Sequence, residues 1–102
     1  MTEAPLPLTA TLRRSDSAME ADVAGLTVMM DLDAGSYYGL NEVGTFLWAR
    51  LAEPRTVAAL ADELPRHFEV EPDEARTATL AFARDLVARG LVVRTDGVPT
   101  DG

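Results

Sequence analysis

Residues 28–51 read V-M-M-D-L-D-A-G-S-Y-Y-G-L-N-E-V-G-T-F-L-W-A-R-L, and they hold a hairpin and the start of a helix. Val28, Met30 and Leu32 alternate with Met29 and Asp31. That spacing puts an apolar side chain on one face at every second residue, the pattern of a half-buried strand. Asp33-Ala34-Gly35 follows as a hairpin loop whose last position calls for positive φ and therefore suits glycine. Ser36 to Leu40 then return antiparallel as an edge strand, with Tyr38 and Leu40 expected on the same buried face as Val28 and Met30. Asn41 ends this strand. Its side-chain oxygen can accept a backbone N–H of the next turn, so the first helix begins there, with Val43, Phe46, Leu47 and Leu51 as its inner stripe.

Towards the N-terminus, Met19, Ala21 and Val23 alternate with Glu20 and Asp22, which predicts a strand with an acidic outer face, and Gly25 marks the next turn. Residues 1–16, with Pro5, Pro7 and a polar cluster at Arg13 to Asp16, read as a flexible N-terminal arm. Towards the C-terminus, Glu53-Pro54-Arg55 breaks the helical pattern, because proline disfavours helix at the residue before it. Thr56 then caps a second helix with Val57, Leu60, Ala61 and Leu64 inward, and Pro65 is expected to end or kink it before Phe68 and Val70 enter the core.

A third helix is predicted over about 72–89. Pro72 fits its first turn, Asp73 and Glu74 favour the positive end of its dipole, and Gly90 suits the position after the last turn. Its apolar residues make two faces. Ala75, Thr79, Phe82 and Leu86 serve a helical core, whereas Leu80, Ala83 and Val87, flanked by Arg76 and Arg84, need another partner. Leu91 to Val93 are expected to close onto the core, and residues 95–102 form a polar tail. Residues 17–94 thus make one α+β domain of winged-helix type, a three-stranded antiparallel meander followed by three helices.

Composition narrows the function. The chain has 102 residues, 47% of them apolar, and no apolar run approaches the ~20 residues that span a bilayer, so it reads as soluble. There is no signal-peptide pattern, and the absence of cysteine fits a cytoplasmic protein. All nine positive charges are arginine, and the net charge of −8 disfavours nucleic acid, whose phosphates are bound by basic side chains. His67 is the only histidine, so neither a zinc site nor a nucleophile with its base is available. Asp31 and Asp33 are explained by turn chemistry better than by a metal, and no phosphate-cradling glycine loop is present. Trp48, alone on a core helix, reads as packing.

The stretch M-D-L-D-A-G-S-Y-Y-G-L-N-E-V-G-T-F-L-W, followed downstream by A-R-D-L-V-A-R-G-L-V, resembles the PqqD-like family of precursor-peptide recognition elements, over about residues 17–94. The stand-alone members of lasso-peptide biosynthesis look most similar. The resemblance implies a winged-helix fold and non-catalytic binding of the leader segment of a ribosomally made precursor. It also implies delivery to a leader peptidase and, for the lasso subtype, a macrocycle-forming enzyme, with no cofactor and no membrane.

The residues offer a site for such a peptide. An unpaired edge exposes N–H and C=O groups that an extended peptide can match, and an adjoining apolar groove can select alternate side chains. The expected site joins Ser36, Tyr37, Tyr38, Gly39 and Leu40 of the edge strand to Leu80, Ala83, Arg84 and Val87 of the third helix. Tyr37 and Tyr38 point to opposite faces, Tyr38 inward. A winged-helix transcription regulator shares this architecture, but the third helix sets Arg76, Arg84 and Arg89 against Asp73, Glu74 and Asp85, without a basic recognition surface. A small enzyme and a dimerisation module using the same edge are further alternatives.

Overall fold

The computed structural model describes residues 6–16, 18–31 and 35–95. Two antiparallel three-stranded sheets and three helices make up the described part. Strand β1 spans Thr11–Arg14, β2 Ala18–Val23, β3 Leu26–Asp31 and β4 Ser36–Gly39. Helix α1 is Glu42–Arg50, strand β5 Arg55–Thr56, helix α2 Val57–His67, helix α3 Pro72–Ala88 and strand β6 Val92–Arg94.

The expected meander is present, in the order β2-β3-β4. Ala24 and Gly25 both hold positive φ, 55° and 85°, the requirement of a tight two-residue turn between twisted strands. The Asp22 carboxylate accepts the Gly25 N–H at 2.9 Å. Gly35 also has positive φ, 69°, as the hairpin loop demanded. Leu32, Asp33 and Ala34 lie outside the described residues, as do Ser17, residues 1–5 and the tail from 96 onward.

On β2 and β3 the faces are the reverse of those expected, whereas Tyr38 and Leu40 turn inward and Tyr37 outward as expected. Met29 is fully buried, opposite Tyr38 on β4 and Glu20 on β2, so these three share the inner face. Val28 and Met30 are half-buried, and Met19 and Val23 are exposed on the outer face. Glu20 lies on the inner side of the sheet, still partly exposed, where it accepts the Trp48 indole N–H at 2.6 Å and an Arg14 N–H at 3.1 Å. The physical reason is that Val28, Met29 and Met30 are all apolar, so alternation could not settle parity, and a one-residue change of phase flips every side chain.

The helices start where expected. Asn41 accepts the Gly44 N–H at 2.8 Å and Thr56 the Ala59 N–H at 3.0 Å, each supplying a partner to an otherwise orphaned donor. Leu47, Trp48 and Leu51 are buried, with Val43 and Phe46 packed against them. Helix α2 buries Val57, Leu60, Ala61 and Leu64 but does not stop at Pro65; it runs on to His67, and the Phe68 N–H bonds the Leu64 carbonyl at 2.8 Å. Phe68 and Val70 pack at the edge of the core. Helix α3 matches its expected span, and the Glu71 N–H donates to the Glu74 carboxylate at 3.1 Å.

The largest departure is at the N-terminus. Residues 11–14, read as part of a loose arm, form the central strand of the second sheet, ordered β5-β1-β6. Ala10 and Leu12 are fully buried. Thr11 pairs with Thr56 of β5, and Arg13 pairs with Val93 of β6, so one short strand ties the start of α2 to the strand that follows α3. Leu91 and Val92 close onto the core as expected.

Candidate functional site

Strand β4 is an edge of its sheet, paired on one side with β3. The Leu40 N–H donates to the Thr27 carbonyl at 2.8 Å, so the neighbouring pair Val28 and Gly39 is of the non-hydrogen-bonded kind. Alternation then turns the backbone groups of Tyr38 towards β3 and those of Tyr37 and Gly39 away from it. Gly39 has open space where a side chain would stand. Strand β2 is the other edge, and β4 borders a cleft.

That cleft, about 480 Å³, lies between the end of β4, the start of α1 and the flank of α3. Its walls are Tyr38, Gly39, Leu40 and Asn41 on one side and Ala78, Ala81, Phe82 and Asp85 on the other, with Val43 and Gly44 at the base. Gly44 has a structural reason: a Cβ there would stand 3.2 Å from Leu40 Cβ, a tight contact, so glycine lets α1 come this close to the strand end without displacing Leu40.

The polar end of the cleft is a linked trio. The Tyr38 hydroxyl donates to Asp85 Oδ2, the Arg89 Nε donates to Asp85 Oδ1 at 3.1 Å, and the Arg89 guanidinium lies 3.9 Å from the centre of the Tyr38 ring. The hydrogen bond to Asp85 raises the Tyr38 pKa above its ordinary value; burial and the Asp85 charge add to this, and Arg89 opposes it. Tyr38 is therefore a neutral donor at physiological pH. Asp85 carries its charge already matched by Arg89, which leaves the cleft walls mainly apolar.

The structure brings Tyr38, Gly39 and Leu40 to the cleft, with Tyr37 and Ser36 on the adjoining edge. It does not bring the other four expected residues there. Ala83 is fully buried in the core, Leu80 is half-buried against it, and Arg84 and Val87 are exposed away from the cleft. At about 100° per residue the Leu80, Arg84 and Val87 face lies nearly opposite the Ala78, Ala81, Phe82 and Asp85 face. The signal in the sequence is an i, i+3, i+4, i+7 stripe, but two alanines are weak markers, and Phe82 fits the core stripe as well. Among the described residues no cluster of side chains could hold a metal ion.

A small α+β domain with an open strand edge beside a helix-walled apolar cleft is the class of protein that this geometry defines. The chain belongs to the PqqD family: the model for Coenzyme PQQ synthesis protein D (PqqD) matches residues 27–92, which take in β3 from its second residue, β4, the cleft and all three helices. Two solved structures share the fold. One is TbiB1 in complex with the TbiA(beta) leader peptide, with 24% identity and a TM-score of 0.72 over 84% of this chain and 96% of that one. The other is lasso peptide synthetase B1 complexed with the leader peptide, at the same identity and TM-score, over 80% of this chain and 96% of that one. No curated protein matches the chain.

Proposed function

We propose that the protein binds the leader segment of a ribosomally made precursor peptide, by strand addition to β4, and presents it to a leader peptidase. For the lasso subtype a macrocycle-forming enzyme acts next. The observation that carries this reading is the β4 edge, whose Tyr37 and Gly39 backbone groups face away from β3 beside an apolar cleft. An added strand would bond those groups and send alternate side chains towards Ala78, Ala81 and Phe82, so the backbone supplies affinity and the cleft supplies selection. The two structural relatives, each holding a leader peptide, support the same reading. The role is binding without catalysis, since the polar groups of the cleft are bonded to one another. The rival, a DNA-binding regulator, is disfavoured by the net charge of −8.

The test uses the cognate precursor and variants that separate backbone from side chain. Tyr37→Pro deletes an N–H that faces away from the β3 ladder, a position where an edge strand tolerates proline, and Tyr37→Ala controls for the lost ring. Tyr37→Pro should weaken leader binding at least about tenfold relative to Tyr37→Ala, equal to about 1.4 kcal/mol, with circular dichroism unchanged. Ala81→Glu, which places a charge in the cleft, should weaken it comparably, and Val87→Asp on the far side of α3 should not. Equal affinities for all four, or a specific complex with upstream DNA instead, would overturn the proposal.

A further inference from the structure

The outward face of the β2-β3-β4 sheet is apolar. Met19, Met30 and Tyr37 form one cross-strand row, Ala21, Val28 and Gly39 the next, and Val23 with Leu26 the last. None of these side chains is charged. Met19 is 47% exposed, Val23 56%, Leu26 38% and Tyr37 74%. An antiparallel sheet with one face on the core ordinarily turns polar residues to water on the other. Here the acidic residue of the central pairing, Glu20, is on the inner face, bonded to Trp48 and Arg14.

The size and charge of the face say what fits it. Strands about 4.8 Å apart, β2 and β3 about 20 Å long and β4 about 13 Å, give on the order of 250 Å², close to the scale of the largest apolar patch on an ordinary monomer, and such patches are often functional. A stable complex buries about 800 Å² on each partner, so this face alone does not hold two copies together. Two chains that each carry −8 also repel. The occupant that fits is a different protein, neutral or basic around an apolar centre, and held transiently. Position narrows it further. Tyr37 belongs to both surfaces, its side chain to this face and its backbone to the peptide edge, so a protein seated here lies one strand away from a peptide on β4.

We infer that this outer face, centred on Met19, Val23 and Leu26, docks the enzyme that acts on the bound peptide, the leader peptidase of the reading above, on which this inference rests. The edge then holds the substrate while the adjoining face holds the enzyme. Neither contact blocks the other.

The experiment uses the full chain, a fluorescent cognate leader and the purified peptidase encoded beside it. The variants are Met19→Glu/Val23→Glu and the milder Met19→Thr/Val23→Thr, which keeps strand propensity if the first fails to fold. Leader affinity by anisotropy should stay within about twofold, because neither residue touches β4. Peptidase association with the leader-loaded protein should fall at least about tenfold for the glutamate pair and several-fold for the threonine pair, and leader cleavage should slow in step. Unchanged peptidase association overturns the inference. So does a dimer of the unaltered protein that the variants dissolve, which would make the occupant a second copy, or a parallel loss of leader affinity in a folded variant. If the unaltered protein binds no leader at all, the peptide reading itself has failed; if it binds leader but not peptidase, only the docking face has.

Discussion

Asp85 accepts from two neighbours at once, the Tyr38 hydroxyl and the Arg89 guanidinium, and in doing so it locks the one inward tyrosine of β4 onto α3. The bond requires Tyr38 to be protonated, which is why its pKa is raised. The consequence for stability has a definite sign. A folded-state pKa above the unfolded value means that the contribution is complete below about pH 10 and is lost as pH rises through the folded value. Tyr38→Phe should therefore cost about 1 kcal/mol in urea unfolding at neutral pH, with the difference from the unaltered protein shrinking above about pH 10. The chain has two tyrosines, so in a Tyr37→Phe background tyrosinate absorbance reports Tyr38 alone. Titration of the folded protein at or below the midpoint of the urea-unfolded chain would disprove the locked arrangement.

At the scale of elements, the meander is defined by which of two adjacent methionines enters the core. Met29 is fully buried and pairs with Tyr38, whereas Met30 is half-buried in the outer row with Met19 and Tyr37. Deleting a buried Met side chain to alanine leaves a cavity and typically costs about 2 to 5 kcal/mol, while a partly solvated one costs about 1 or less. Met29→Ala should lower the urea midpoint far more than Met30→Ala. The opposite ranking would mean that the sheet packs in the phase its alternation first suggested, and the cleft residues would then have to be reassigned. Helix α3 carries the same lesson. Its core stripe, Ala75, Thr79, Ala83 and Leu86, lies beside its cleft stripe, and Phe82 stands on the border between them.

Across the whole molecule, one small sheet meets α1 through β3 and the other meets α2 and α3 through β5 and β6, and β1 makes the second sheet possible. It is the shared partner of β5 and β6, which are otherwise far apart in the chain, and it buries Leu12 completely. The Ser15 N–H bonds the Leu91 carbonyl at 2.9 Å, and the Thr95 N–H bonds the Thr11 carbonyl at 2.8 Å. Leu12→Ala should cost about 2 to 5 kcal/mol, the range for a fully buried leucine, in a single cooperative transition seen equally by Trp48 fluorescence and circular dichroism. A cost below about 0.5 kcal/mol would return residues 11–14 to a dispensable arm.

Local chemistry was legible in the sequence wherever one residue type solves one local problem. Asn41 and Thr56 as caps, Gly35 in its turn, Pro72 and Gly90 around α3, and the inward stripe of α2 could be read because orphaned N–H groups and positive φ admit few side chains. The edge position of Ser36 to Gly39 followed from the order of the elements. Tertiary structure alone decided three things. The phase of the Val28-Met29-Met30 run was set by what packs beneath it, since an unbroken apolar stretch has no preferred face. Strand β1 is too short to announce itself and exists because β5 and β6 bracket it, an arrangement made by pairing partners more than 40 residues away. The face of α3 that walls the cleft was decided by how its two apolar faces met core and solvent, because a helix with apolar residues around much of its circumference fits several orientations, and only docking against α2 and β6 selects one.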